Sequence, residues 1–225
     1  IVILEELAQR THCELPIVAL DRPAMILYTS GTTSKPKGVV TTHACVQSQI
    51  EVLVNAWRWE ADDRTPLFLP LHHIHGIINV LSCALWAGAE VEAFERFDIN
   101  SITRRVAERA YTVFMAVPTV YAKLIQRLEE LSHSERASVA QGFSSMRLMV
   151  SGSAALPASL HQQWSALTSQ HLLERYGMTE IGVVLANPYV GERRPGTVGQ
   201  PLPGVEIRLV AESGNWATVS TASSA

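Results

Sequence analysis

The stretch Tyr28-Thr29-Ser30-Gly31-Thr32-Thr33-Ser34-Lys35-Pro36-Lys37-Gly38 decides how the rest of the chain is read. Immediately before it, Pro23 to Tyr28 is a short apolar run, the pattern of a buried strand that delivers a loop to a sheet edge. From Thr29 to Ser34 five of six residues carry hydroxyls, and the sixth, Gly31, has no side chain. Backbone N–H groups and hydroxyls can therefore converge on one anion. Lys35 and Lys37 follow, separated by Pro36, and supply the positive charge that a polyphosphate needs for neutralisation. A Ser/Thr/Gly surface linker would have the same hydroxyl composition. Lysine usage separates the two readings, because the chain has 15 arginines but three lysines, and two of the three fall here. The loop is not a Walker A motif, which needs a second glycine at position 36, where this chain has proline.

Composition bounds what surrounds the loop. With 225 residues, 47% of them apolar and 17% charged, the chain is globular and long enough for a substantial core. Its net charge of −3, with acids and bases interspersed, offers no basic face for nucleic acid. Cys13, Cys45 and Cys83 are widely spaced without a C-x-x-C pair. They predict reduced thiols at small core positions and a cytoplasmic or organelle-matrix location. No segment reaches the roughly 18 uninterrupted apolar residues of a membrane span. The first residues carry neither an initiator methionine nor a signal-peptide pattern, so the chain is expected to be a central piece of something longer.

Outward from the loop, strands and helices alternate. Leu15 to Leu20 predicts a strand, and Gly38 to Thr41 a return strand. Thr42 stands at an N-cap position before Val46, Ile50, Leu53, Val54 and Trp57, which recur at helical spacing up to about Trp59. Further strands are predicted at Leu67 to Leu71, Ala89 to Phe94, Thr112 to Val117, Met146 to Val150, His171 to Leu173 and Val205 to Val210. Helices are predicted at Ile77 to Trp86, Ile99 to Arg109 and Pro118 to Glu130, the last with proline in its favoured first turn. Short Val/Ile/Leu/Met runs between amphipathic helices imply an α/β fold, a mostly parallel sheet covered on both faces. Residues 1–210 read as one domain, and the small, polar, aperiodic 211–225 as a disordered tail.

Four other stretches carry chemistry. Ser151-Gly152-Ser153-Ala154-Ala155 lies at a strand-to-helix turn, where small residues either admit a flat ring or simply allow tight packing. Glu174-Arg175-Tyr176-Gly177-Met178-Thr179-Glu180 offers a stacking face, a hydroxyl and a carboxylate able to ligate a metal. His72, His73 and His75 suggest zinc, but no Cys or Asp joins them and in extended chain only His73 and His75 share a face, so a pocket-lining role is preferred. Gly196 to Gly204 reads as a turn-rich connection. No G-x-S-x-G hydrolase elbow occurs.

The loop from Tyr28 to Gly38, taken with Tyr176-Gly177-Met178-Thr179-Glu180 about 140 residues later, resembles the adenylate-forming superfamily, which includes acyl-CoA synthetases. This chain has Ser34 where the family usually has glycine. The resemblance covers residues 23 to 210 and implies an incomplete large N-terminal domain, without the C-terminal domain. It implies that Thr29, Ser30, Gly31, Thr32, Thr33 and Lys37 grip the phosphates of ATP, that Gly152, Ser153, Ala154, Tyr176 and Gly177 lie against adenine, and that Thr179 contacts the α-phosphate. Glu180 would hold Mg²⁺, with Lys37, Thr179 and Glu180 catalytic. Pro70-Leu71-His72-His73 is similar to a stretch whose histidine gates the acyl site, here His73. The order Asn187-Pro188-Tyr189-Val190-Gly191-Glu192-Arg193-Arg194-Pro195-Gly196 looks most like malonyl-CoA synthetases, with Arg193 expected to meet the second carboxylate. The implied activity is ATP-dependent conversion of a short acid, malonate favoured, to its CoA thioester. A short or medium fatty acid as substrate and an inactive nucleotide-binding remnant are the alternatives, and the isolated chain is expected not to complete the reaction.

Overall fold

The computed structural model describes residues 16–29, 35–210 and 216–217, the last two by backbone alone. Its centre is a sheet ordered β5-β6-β7-β8-β9, made of β5 (Val113–Ala116), β6 (Leu148–Ser151), β7 (Leu173–Met178), β8 (Gly182–Ala186) and β9 (Gln200–Pro201). β5, β6 and β7 run parallel, and β8 and β9 add antiparallel pairs. Alternation along β5 and β6 explains how both faces are buried. Phe114, Ala116 and Met149 enter one apolar cluster; Val113, Met115, Leu148 and Val150 enter the other.

The first cluster is closed by α3 (Ile99–Ala107), α4 (Pro118–Glu130), α5 (His133–Ser144) and α6 (Ala158–Thr168). An aromatic chain of edge-on contacts, Phe114 to Phe143 and Tyr121 to Trp164, fills its middle. The second cluster is closed by α1 (His43–Trp57) and by a helix that begins as a π-helical segment, His75–Ser82, and continues as α2 (Cys83–Ala87). Thr42 caps α1 as expected, its hydroxyl accepting from Cys45 N, and Arg58 ends the helix in the left-handed region at φ 50°. A parallel pair, β3 (Arg64–Leu67) with β4 (Glu90–Ala93), abuts β5 through Thr112 N to Arg64 O at 2.9 Å.

Several boundaries differ from the expectation, each for a physical reason. Residues 16–20 contain no strand. β1 (Pro23–Thr29) exists but is not buried: it pairs with β2 (Lys37–Thr42) in a separate hairpin that packs through Leu27, leaving Ile26 and Tyr28 55% and 68% exposed. β3 lies earlier than Leu67 to Leu71, because buried Asp63 and Thr112 fix Arg64 against the start of β5. α5 was missed although Ser132 and Glu135 form a complete capping box; its apolar stripe is reduced to Val139, Gly142 and Phe143, with Gly142 pressed against the Val106 carbonyl. Of Val205 to Val210, β10 is confined to Leu209–Val210, which pairs with β11 (Trp216–Ala217) inside the stretch read as disordered. The rest of 211–225, Cys13 and Leu15 fall outside the described residues. Cys83 is buried, whereas Cys45 is exposed rather than in the core.

Candidate active site

The carboxyl ends of the parallel strands converge on one cavity of about 380 Å³. Val117 follows β5, Ser153 lies just beyond β6, and Gly177 and Met178 end β7; all line it, facing Pro70, His73, Ile74 and His75. Ligands of open α/β sheets sit at such strand ends. The segment Glu174 to Met178, expected as a loop after a strand, is the strand itself, and Thr179 and Glu180 form its turn into β8.

Three side chains inside this cavity form a chain. Arg175 Nη2 donates to Ser153 Oγ at 3.3 Å, and Ser153 Oγ lies 3.1 Å from His75 Nδ1. Guanidinium can donate but not accept, so Ser153 Oγ is the acceptor toward Arg175, while its hydroxyl can either donate to His75 Nδ1 or accept from it according to the imidazole tautomer. His75 Nε2 and Arg175 Nε are both buried and have no hydrogen-bond partner among the described residues. The charged Arg175 guanidinium in the wall makes the cavity a candidate site for an anionic group. Burial holds the His75 pKa well below the usual imidazole value, with the Arg175 charge adding to the effect. Burial also lowers Arg175 to about 10, which leaves it charged at neutral pH.

The backbone around this chain is built for it. A Cβ at Gly152 would run into the Arg175 side chain, so glycine there admits the guanidinium. Ser153 takes φ 69°, a left-handed conformation that costs a non-glycine residue about 1 kcal/mol. Ser153 and Ala154 are exposed, and Tyr176 is 43% exposed, so a ring face and small residues are open beside the cavity. A second cavity of about 370 Å³, more apolar, lies alongside; Ile74 and Thr179 border both.

A family model described as AMP-binding enzyme matches residues 3–218. The chain belongs to the AMP-binding enzyme family. Among relatives, the mitochondrial malonate–CoA ligase ACSF3 of Xenopus laevis is 47% identical over 199 residues, 86% of this chain and 34% of that protein. A malonyl-CoA ligase solved as a ternary product complex with methylmalonyl-CoA and AMP superposes with TM-score 0.79 at 38% identity, over 85% of this chain and 40% of that one. ATP-bound MatB from Rhodopseudomonas palustris gives 0.81 at 37%, over 96% and 42%. The chain thus spans about a third of the length of the relatives it matches.

Within the family frame, the structure brings together His73, Ser153, Gly177 and Thr179 around one cavity and sets Glu180 at the mouth of the next. Thr29 and Lys37 face each other across the β1–β2 hairpin, at the two ends of the hydroxyl loop. Ser30, Gly31, Thr32 and Thr33 lie outside the described residues. Lys37 and Glu180 are exposed and make no ion pair among the described residues, so both are available to a charged ligand. That donor set, a hydroxyl-rich loop with lysine, an open tyrosine face and a free carboxylate, suits a nucleotide triphosphate with its divalent cation.

Arg193 is the exception. It lines a different cavity with Met146, Arg147 and His171, at the amino ends of β6 and β7. β6 alone has four residues, roughly 13 Å of extended chain between that end and the first cavity. Its guanidinium donates to the carbonyls of Pro188, His171 and Tyr189 and so ties down its own loop. Closeness in sequence did not reveal which end of the sheet it reaches. Arg175 was the missed residue; it lies in the Glu174 to Glu180 motif, one position before Tyr176, and its burial in β7 was not readable from residue type. Among the described residues no group of three or more His, Cys, Asp or Glu that could hold a metal ion forms, and His73 and His75 line the first cavity.

Proposed function

We propose that this chain forms the acyl- and nucleotide-binding centre of an acid–CoA ligase that activates a short dicarboxylate, malonate above all, in two steps. A carboxylate oxygen attacks the α-phosphorus of ATP and pyrophosphate leaves; the CoA thiol then attacks the acyl carbon and AMP leaves. The observation that carries the dicarboxylate reading is the buried Arg175, whose Nε has no partner among the described residues and which shares its cavity with His73 and His75. Burying a second carboxylate unpaired would cost several kcal/mol, and a guanidinium fork is suited to meet it. Arg175 takes the role that sequence order suggested for Arg193.

The remaining roles follow from position. Lys37 and the hydroxyl loop would neutralise the leaving phosphates, Thr179 would donate to the α-phosphate, and Tyr176 would stack on adenine. Glu180 would hold Mg²⁺, which spreads the charge that builds on phosphate oxygens. His73, exposed at the cavity mouth, would gate the acyl site. The neighbouring apolar cavity, lined by Met25, Val46, Ile78 and Val183, favours a short or medium fatty acid as the second reading.

The phosphate assignment is tested in a chimera in which residues 23–210 replace the matching third of a malonate–CoA ligase. Lys37→Ala is expected to lower pyrophosphate release by about a hundredfold, the scale of losing one charge-stabilising donor. Thr32→Val should lower it less, with the melting temperature of both variants retained. Unchanged rates in both variants would sink the phosphate-loop assignment.

A further inference from the structure

We propose that Gln49 is a positioning residue whose side-chain amide holds the Thr179–Glu180 turn against the helix that leaves the phosphate loop. The inference deepens the function proposed above and rests on it. The inward stripe of α1 is otherwise apolar, with Val46, Ile50, Leu53 and Trp57 in the second core cluster. Gln49 interrupts that stripe. Its Oε1 accepts from Val183 N at 2.5 Å, and its Nε2 donates to Val183 O at 3.5 Å.

One amide therefore engages both main-chain groups of one residue, as a neighbouring strand would in an antiparallel ladder. Within the sheet, Gly177 of β7 is the ladder partner of Val183. β9 pairs with β8 at Leu185 and Ala186, and Leu202 N reaches back as far as Val184 O. Val183 is 2% exposed, so losing the Gln49 amide would remove two side-chain hydrogen bonds from a main chain that water does not reach.

A second observation shows that turn and amide are built around each other. Gly182, the last residue of the turn, has φ 70°, and a Cβ there would collide with Gln49 Oε1. The turn is closed by Ile181 N donating to Met178 O at 3.2 Å, and Thr179 and Glu180 ride on it. At the other end, α1 starts from its Thr42 cap directly after β2, whose first residue is Lys37. Gln49 and Glu180 line the same cavity. A continuous helix thus joins the phosphate loop to the turn, and the Gln49 amide is its contact with that turn.

If the amide sets where Thr179 and Glu180 sit, its loss affects MgATP and leaves the acid site, formed by His75, Ser153 and Arg175, in place. Gln49→Leu keeps the length and apolar packing of the side chain; Gln49→Glu keeps the acceptor for Val183 N–H and loses the donor. In the chimera, Gln49→Leu is expected to raise KM for MgATP about tenfold or more while KM for malonate stays within about twofold. Gln49→Glu should fall between wild type and Gln49→Leu, and amide hydrogen exchange at Val183, measured on the full 225-residue chain, should accelerate in Gln49→Leu. Equal changes in both KM values, or unchanged exchange at Val183, would overturn the positioning role. A wild-type chimera that turns over no acid would instead overturn the function proposed above, and the exchange measurement would still decide whether Gln49 holds the turn.

Discussion

Arg175→Met in the chimera is expected to lower kcat/KM for malonate by a hundredfold or more while butyrate turnover changes by less than about tenfold. Methionine retains the length and apolar stem against Gly152 and removes the guanidinium. The size of the effect follows from burial. Arg175 is 4% exposed, and its Nε has no hydrogen-bond partner among the described residues. Removing one partner of a buried, hydrogen-bonded charge pair costs about 3–5 kcal/mol, and each 1.4 kcal/mol is a factor of ten. Butyrate brings no second charge and has nothing to lose at this position. Arg193→Leu, in contrast, should destabilise its loop and affect both acids alike, because its donors are committed to main-chain carbonyls. Equal loss of both acids in Arg175→Met, or selective loss of malonate in Arg193→Leu, would return the anchor to Arg193 or remove it altogether.

The second large effect concerns stability. Asp63, 1% exposed, accepts from Thr112 Oγ at 2.7 Å, from Glu60 N at 2.9 Å and from Arg147 through both Nε and Nη2. Arg147 in turn donates to Trp57 O and Tyr189 OH. One carboxylate thereby joins the end of α1 and the starts of β3, β5 and β6. Asp63→Ala is expected to cost about 3–5 kcal/mol, the scale of breaking a buried pair and leaving its partners unsatisfied. For a chain of this size each kcal/mol lowers Tm by about 2–4 °C. Burial pushes the Asp63 pKa up, but the hydrogen bonds from Arg147, Glu60 N and Thr112 together outweigh it and the net shift is downward. A depressed carboxylate contributes stability that is fully present above the ordinary Asp value of about 3.9 and is lost as pH falls through the folded value. The gap in Tm between wild type and Asp63→Ala should therefore be widest near neutrality and narrow below about pH 4. A gap independent of pH would show that lost packing, and not the charge, sets the cost.

What was legible in the sequence divides along physical lines. The Thr42 cap, the Pro118 start of α4 and the apolar runs of β5 and β6 were readable because each depends on local chemistry or on burial of a whole strand. α5 was harder, since two large apolar residues and a glycine suffice for a helix packed closely on α3. β3 escaped because it begins with Arg64-Thr65-Pro66, whose place is set by Asp63 and Thr112 from elsewhere in the chain. Within the site, the motif residues were readable from their types: Gly177 and Thr179 line the first cavity and Glu180 the second, while Tyr176 is exposed on β7. The groups that make the cavity polar, His75 and Arg175, are buried in regular elements. Their importance lies in which hydrogen bonds they lack, and a sequence does not record that. Arg193 differs for the opposite reason: its donors are committed to main-chain carbonyls of its own loop and of His171.

The most direct test of the account measures acid-dependent release of pyrophosphate and AMP from ATP by the wild-type chimera, with malonate and butyrate side by side. The cavity proposed to hold the acid is lined by residues of this chain, among them His73, His75, Ser153 and Arg175, so the measured preference tests their role. The account predicts release that depends on malonate, with butyrate at least tenfold poorer in kcat/KM. Butyrate preferred over malonate, or pyrophosphate release that needs no acid, would contradict it.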